Sequence, residues 1–447
     1  MHTQRVFFQH AQRRKRKKML PNRQRRNPHK ADEMRQAAPS INRSDSSVEE
    51  QVPGTTGTLN APSATIASAM DTLAKLNRRD FLMTASAATF AAASPLLAAS
   101  ARQRVFIGSN KPDGILAFDW DPASAELTSA GVAAKLANVD WITFSPARNF
   151  LYAASEVDTF NGKPTGAVAS FSVQNGQLQP LSEQNSAGTG TCHVALDHTG
   201  RTLLSADYGG GSAACFLITA GSLSPEVWTD HYTAHGPNAD RQQSAHAHFA
   251  SWAPDNRFAY INDLGGDSIH IYKADPATAA LTPAGAYHAR PGAGCRTLHF
   301  HPNGHTAYFV NELDSTVDIL DWHRADGSLT LVSRLNLLPE DYHGSTRACD
   351  TVISRDGKFV YFANRDDDFL FSLHADPKTG ALTPIARSSC GGKIPRNFTL
   401  DPTERWMLVA NQDSNNISVF ARNPVTGVLA EQGKSFPVPA PMCILFA

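Results

Sequence analysis

The chain has 447 residues, with 41 Lys and Arg balanced by 41 Asp and Glu. The balance hides two unlike parts: residues 1–101 carry 16 basic and 7 acidic residues, whereas the remaining 346 carry 25 and 34. The acidic larger part argues against a binder of phosphate backbones. The negative mean hydropathy of the chain and the lack of an 18-residue apolar run in this larger part exclude a polytopic membrane protein.

The first element in chain order is a basic block, Arg13 to Lys18 (RRKRKK), in a Gln/Arg/Asn-rich stretch whose first acidic residue is Asp32. Such a stretch cannot bury a core and is expected to be disordered; a nucleic-acid or membrane tail is the competing reading. From Met70 the chain reads MDTLAKLNRRDFLMTASAATFAAASPLLAASA. The pair Arg78-Arg79 precedes Asp80-Phe81-Leu82, an Ala-rich apolar stretch follows, and Ala99-Ser100-Ala101 supplies the small-x-small pattern of a cleavage site. This resembles a twin-arginine signal, which exports proteins already folded. The expected organisation is therefore an extension over 1–69, with Met70 as the true start, a signal over 70–101, and a periplasmic body over 102–447 without a stable membrane anchor.

The body repeats itself. A turn followed by Leu reads ASAELTS, QNGQLQP, TAGSLSP, ATAALTP, ADGSLTL, KTGALTP and VTGVLAE, with Leu127, Leu178, Leu223, Leu281, Leu329, Leu382 and Leu429 spaced 45 to 58 residues apart. Before it comes a turn into an aromatic-rich strand, as in SPARNFLYAAS, HPNGHTAYFVN and DPTERWMLVAN. Seven units of about 50 residues without helical periodicity predict an all-β, seven-bladed β-propeller with four-stranded antiparallel blades. The first unit, with VFIGSN and ILAFDWD, lacks its leading inner strand, while PMCILFA (Pro441 to Ala447) is an orphan apolar strand. The ring is thus expected to be closed by the C-terminal strand, removing an open edge. Six scattered cysteines show no zinc spacing; a pairing among Cys192, Cys295 and Cys349 is left open.

In antiparallel blades the starts of inner strands and the ends of second strands share one face. The starts are Asp140-Trp141, Cys192-His193, His248-Phe249, Arg296-Thr297, Cys349-Asp350 and Arg396-Asn397. The ends are Glu156, Tyr208, Asp263, Glu312, Arg365 and Gln412. A structural ring would favour small or apolar residues here, whereas this mouth collects His, Arg and carboxylates; a solvated rim of ion pairs would also have this composition. A carboxylate or imidazole beside Arg can take a proton from water, and fixed guanidinium groups bind anions or an oxyanion. No G-x-S-x-G elbow supports a serine nucleophile. A metal held by His248 with Glu312 or Asp263 is disfavoured by the surrounding arginines, and no cofactor is expected.

The body, from about Arg104 to Ala447, resembles the seven-bladed propeller lactonases of the 6-phosphogluconolactonase type, related to carboxymuconate lactonizing enzymes. The resemblance rests on RQQSAHAHFASWAPDNRFAYINDLGGDSIHIY, GCRTLHFHPNGHTAYFVNELDSTVDIL, CHVALDHTGRTLLSADYGGGS and PRNFTLDPTERWMLVANQDSNNISVF. It implies hydrolysis of a small-molecule sugar-acid lactone and a catalytic triad of His248, Arg296 and Glu312. Either Glu312 or His248 would activate water, with Arg296 and Arg396 holding anionic groups. Arg396, Arg365, His193, Asp350 and Gln412 are the expected substrate-binding residues. Ala245 and Cys295 stand where the family's phrases have Pro, and Asp350 where Glu is common. Both Glu312 and Arg296 are expected to face a solvated mouth, so that replacing either would leave the ring folded. A monomer is expected, with no nucleic acid. A lactonizing cycloisomerase and a non-catalytic binding scaffold are the alternatives.

Overall fold

A computed structural model describes residues 102–447 apart from Pro112, Pro276 and Glu340. The basic extension and the export signal lie outside the described residues. Within them, 28 strands form seven four-stranded antiparallel sheets. Six sheets are continuous in the chain, led by inner strands Val139–Phe144, Thr191–Leu196, Ala247–Trp252, Cys295–Phe300, Ala348–Ile353 and Pro395–Leu400. The first blade borrows its inner strand, Pro441–Phe446, which pairs with Gln103–Ser109. The inner strands touch one another in ring order, and Pro441–Phe446 meets both Val139–Phe144 and Pro395–Leu400. The architecture is the seven-bladed propeller that the repeats predict, clasped by the C-terminal strand.

Blades stack face to face, so their middle strands are buried on both sides. Thr202–Asp207 and Phe258–Asp263 are buried at every residue, which is why they show no strict alternation of apolar and polar residues. The core is correspondingly divided into seven clusters among the described residues, each shared by two neighbouring blades. One joins Val105, Trp120 and Leu127 to Leu408 and Val419 with Ile444 and Phe446 between them. Hydrogen bonds tie the same interfaces. Buried Tyr260, Tyr308 and Tyr361 donate to the carbonyls of Gly327, Gly380 and Gly427 in the outer turn of the next blade, at 2.8, 2.8 and 2.9 Å.

Those turns explain the turn-plus-Leu motif. The residue two before each leucine is left-handed in all seven blades, from Ala125 (φ 55°) to Gly427 (φ 72°). Glycine suits this conformation, and at Gly327 a Cβ would also lie 2.5 Å from the Phe258 ring. Alanine occupies the position in the first and fourth blades, at Ala125 and Ala279.

Every inner strand starts with a β-bulge. The pairing skips Met442, Asp140, Cys192, His248, Arg296, the pair Cys349–Asp350, and Arg396 in successive blades. A bulge leaves one residue out of the ladder and re-aims its side chain. All of these except Cys349 line one central cavity.

Residues 441–447 should be indispensable. Their removal takes Met442, Cys443, Ile444 and Phe446 from the core and opens the edge of Gln103–Ser109. Burial of four such side chains is worth on the order of 5–10 kcal/mol, comparable to the whole net stability of a domain. Calorimetry of the truncated protein should show no cooperative transition; a melt like the parent's would mean that the strand is not the clasp.

Candidate active site at the channel mouth

The residue leaving each second strand is held against the head of the inner strand by one backbone hydrogen bond. The amides of Glu156, Tyr208, Leu264, Glu312, Arg365 and Gln412 donate to the carbonyls of Asn138, Gly190, His246, Gly294, Arg347 and Ile394 at 2.8–3.0 Å. In the fourth blade the equivalent residue is therefore Leu264, not Asp263. Asp263 lies one step earlier, paired with Ala247 in the ladder, and its Oδ2 faces His270 Nε2 at 3.9 Å rather than His248. The bulge residues and these exit residues together form the mouth.

At its centre His248, Arg296 and Glu312 converge. Arg296 Nη1 donates to His248 Nε2 and to Glu312 Oε2, the latter at 3.2 Å, and its Nε donates to the Cys349 carbonyl at 2.7 Å. Arg365 Nη2 lies 2.6 Å from Glu312 Oε2, and Arg241 Nη2 donates to Oε1 at 2.7 Å. Three guanidinium groups thus share one carboxylate. Despite its burial, which acts the other way, Arg365, Arg296 and Arg241 hold the Glu312 carboxyl far below the usual carboxylate range. His248 is kept neutral, first by burial and then by Arg296. Burial also presses Arg365 down to about 10, against the pull of Glu312, so it stays charged at neutral pH. Its buried Nε has no hydrogen-bond partner among the described residues.

The other expected residues occupy different parts of the mouth. Arg396 Nη2 donates to both oxygens of Asp140 at 3.0 Å. His193 belongs to an aromatic column, its ring 4.5 Å from Trp141 and 3.9 Å from Phe249. Burial there pushes its imidazole down to about 3. Asp350 accepts from Asn397 Nδ2 at 2.8 Å and lies 3.3 Å from His299 Nε2. Gln412 sits at the exit position of the seventh blade but does not line the cavity. That cavity admits the centre of a water molecule over about 20 Å³, room for about one water.

Arg241 is the residue that repeats could not reveal. It sits in the loop between the third and fourth blades, outside the repeated strands and turns. The loop is pinned by buried Gln242, whose Nε2 donates to the Leu264 carbonyl at 2.9 Å and to Asp267 at 2.8 Å. Arg241 also donates to the Tyr208 hydroxyl at 3.1 Å, and Tyr208 stacks on His246. Asp140 and Glu156 belong to the rim positions legible in sequence, but only the contacts distinguish them. All six cysteines are free and buried, so no pairing joins Cys192, Cys295 and Cys349.

The solvated setting expected for Arg296 and Glu312 is corrected by burial: they are 4% and 1% exposed. Glu312→Gln leaves Arg365 and Arg296 buried without their counter-charge, a loss of about 3–5 kcal/mol. The depressed carboxyl contributes stability that is present above the ordinary carboxylate range and lost as pH falls below it. The variant should therefore melt lower at pH 7 and show a flatter acid dependence; an unchanged melting profile at pH 7 would refute the clamp.

A family model described as lactonase, 7-bladed beta-propeller, matches residues 104–446. The chain is 30% identical over 337 residues to 6-phosphogluconolactonase of Bacillus subtilis, covering 75% of this chain and 94% of that protein. It is 31% identical over 339 residues to 6-phosphogluconolactonase of Formosa agariphila, covering 73% and 94%. The solved structure of a periplasmic gluconolactonase from Pseudomonas aeruginosa superposes with a TM-score of 0.71 at 29% identity, covering 78% of this chain and 99% of that one. With nearly the whole ring matched, the chain belongs to the seven-bladed β-propeller lactonase family.

Proposed function

We propose that the chain hydrolyses a sugar-acid lactone at this mouth, phosphorylated or plain. The observation that carries the reading is a set of guanidinium donors left open beside the cavity. Among the described residues Arg296 is bound only through Nε and Nη1, and Arg396 only through Nη2. When water adds to a lactone carbonyl, charge develops on the carbonyl oxygen, and fixed donors aimed at that oxygen lower the barrier. The same fork geometry suits the carboxylate or phosphate of a sugar acid. Three arginines around Glu312 leave that side of the mouth net positive. The small cavity has room for about one water, so the lactone ring docks outside the bulge layer, against these donors. The relatives' names support the same chemistry.

A panel of 6-phosphogluconolactone and plain aldonolactones, assayed with the chain beginning at Arg102, tests the reading. Turnover should exceed spontaneous hydrolysis. Arg296→Met should lower kcat/KM by roughly 10²–10³-fold, with its melt recorded in parallel to exclude unfolding. A wild-type protein that accelerates none of the panel would refute the assignment.

Export through the twin-arginine route fits the fold. The first blade closes only when residues 441–446 arrive, so folding finishes after synthesis of the whole chain. All six thiols are buried and unpaired, a state reached more safely by folding in a reducing compartment. A periplasmic site favours an unphosphorylated aldonolactone. Changing Arg78 and Arg79 together to Lys should leave unprocessed protein in the cytoplasm, while the parent protein recovered from the periplasm starts near Arg102 by mass spectrometry. Equal periplasmic yield of the double variant would exclude this route.

A further inference from the structure

The geometry points to Glu156 as the general base of the hydrolysis proposed above, a reading on which this inference rests. The two groups first expected in that role are occupied. Both Glu312 oxygens are engaged by arginines, and the Nε2 lone pair of His248 accepts from Arg296.

Glu156 occupies in the second blade the position that Glu312 occupies in the fifth, each with its amide 2.8 Å from the carbonyl two residues before its blade's bulge residue. The bulge residue makes the difference. In the fifth blade it is Arg296; in the second it is Asp140, already committed to Arg396 through both oxygens. The Glu156 carboxyl makes no hydrogen bond or ion pair among the described residues, and it is half-buried rather than sealed. A carboxyl that is accessible, unpartnered among the described residues and in the same blade as Asp140, whose partner Arg396 keeps free N–H groups, is placed to take a proton from a water at the substrate those groups receive.

The electrostatics agree with the placement. Burial first and the Asp140 charge second raise the Glu156 carboxyl to about 7, against the pull of Arg396 and Arg296, with a further push from Asp158. Buried Cys192 nearby is a neutral thiol, raised first by its burial and then by the Asp140 and Glu156 carboxylates. A base near neutrality combines adequate ionisation with real basicity. Two carboxyls at equivalent positions with opposite shifts divide the labour: Glu312 organises charge and Glu156 transfers protons.

In the step itself the Glu156 carboxylate accepts a proton from water as the water oxygen bonds to the lactone carbonyl carbon. The carbonyl π pair moves onto its oxygen, which the open donors of Arg296 and Arg396 hold. Collapse restores the carbonyl and breaks the ring C–O bond, whose pair stays on the leaving oxygen. Protonated Glu156 returns its proton there, so the base is regenerated and one water is consumed.

The test compares wild type with Glu156→Gln and Glu156→Asp on a plain aldonolactone across pH 5–9, with spontaneous hydrolysis subtracted. Wild-type kcat should rise with pH through about 7. Glu156→Gln should lose on the order of 10²–10⁴-fold in kcat with KM little changed and the limb gone, while Glu156→Asp restores a limb. Because the raised carboxyl costs the fold stability as pH rises through its folded value, Glu156→Gln should melt no lower than wild type at pH 8. That separates a lost base from a damaged scaffold. Retention of kcat and of the limb by Glu156→Gln would overturn this inference alone; absence of wild-type turnover would overturn the lactonase reading and this inference with it.

Discussion

The mouth depends on one backbone device, the bulge at the head of each inner strand. Without it, a side chain at that position would follow the two-residue alternation of the strand and point between blades. One extra residue per blade turns Asp140, His248, Arg296 and Arg396 onto a common axis. Seven repeats of the same irregularity then concentrate charge at the centre of an otherwise apolar molecule. The bulges are tolerable because the exit residue's amide bonds back to the carbonyl ahead of each one, keeping the locally disrupted backbone satisfied.

Concentrating charge in this way demands compensation, and the ring supplies it unevenly. Glu312 is surrounded by Arg241, Arg296 and Arg365, and Asp140 is matched to Arg396 alone. Glu156 is left over. Buried ion pairs are weak contributors to stability, since desolvation consumes much of their attraction. A cluster with three cations on one anion is therefore poorly explained as a stabilising feature. It is better explained as preorganisation, in which donors are fixed before charge develops on a substrate.

The ring itself was legible in the sequence because its signals are local and repeated. The turn two residues before Leu127, Leu178 and their counterparts must be left-handed in every blade, and Gly or a small residue records that constraint directly. The clasp was legible because Pro441 to Phe446 is an apolar strand with no partner in its own blade. The convergence of His248, Arg296 and Glu312 followed from blade geometry together with family phrases. What remained hidden depends on contacts between distant blades. Arg241 reaches Glu312 across 71 positions of sequence from an unrepeated loop. Asp263 and Leu264 could not be told apart without the ladder register. The difference between Glu156 and Glu312 lies in a neighbour's charge, which a per-blade pattern does not contain.

The same division between repeated and unrepeated features separates what supports the ring from what works in it. Scaffold contacts recur: a buried tyrosine to the next blade's glycine carbonyl at Tyr260, Tyr308 and Tyr361, and an apolar cluster at every blade interface. Tyr152 is the exception, its buried hydroxyl lacking a partner among the described residues, and it belongs to the second blade, the blade that carries Asp140 and Glu156. A buried hydroxyl without a partner costs about 1–3 kcal/mol, so the second blade lacks the tyrosine lock that the fourth, fifth and sixth blades have. Strain and missing bonds tend to collect where function overrides packing. In the second blade one such missing bond, at Tyr152, lies in the strand Phe150–Ser155 that Glu156 directly follows.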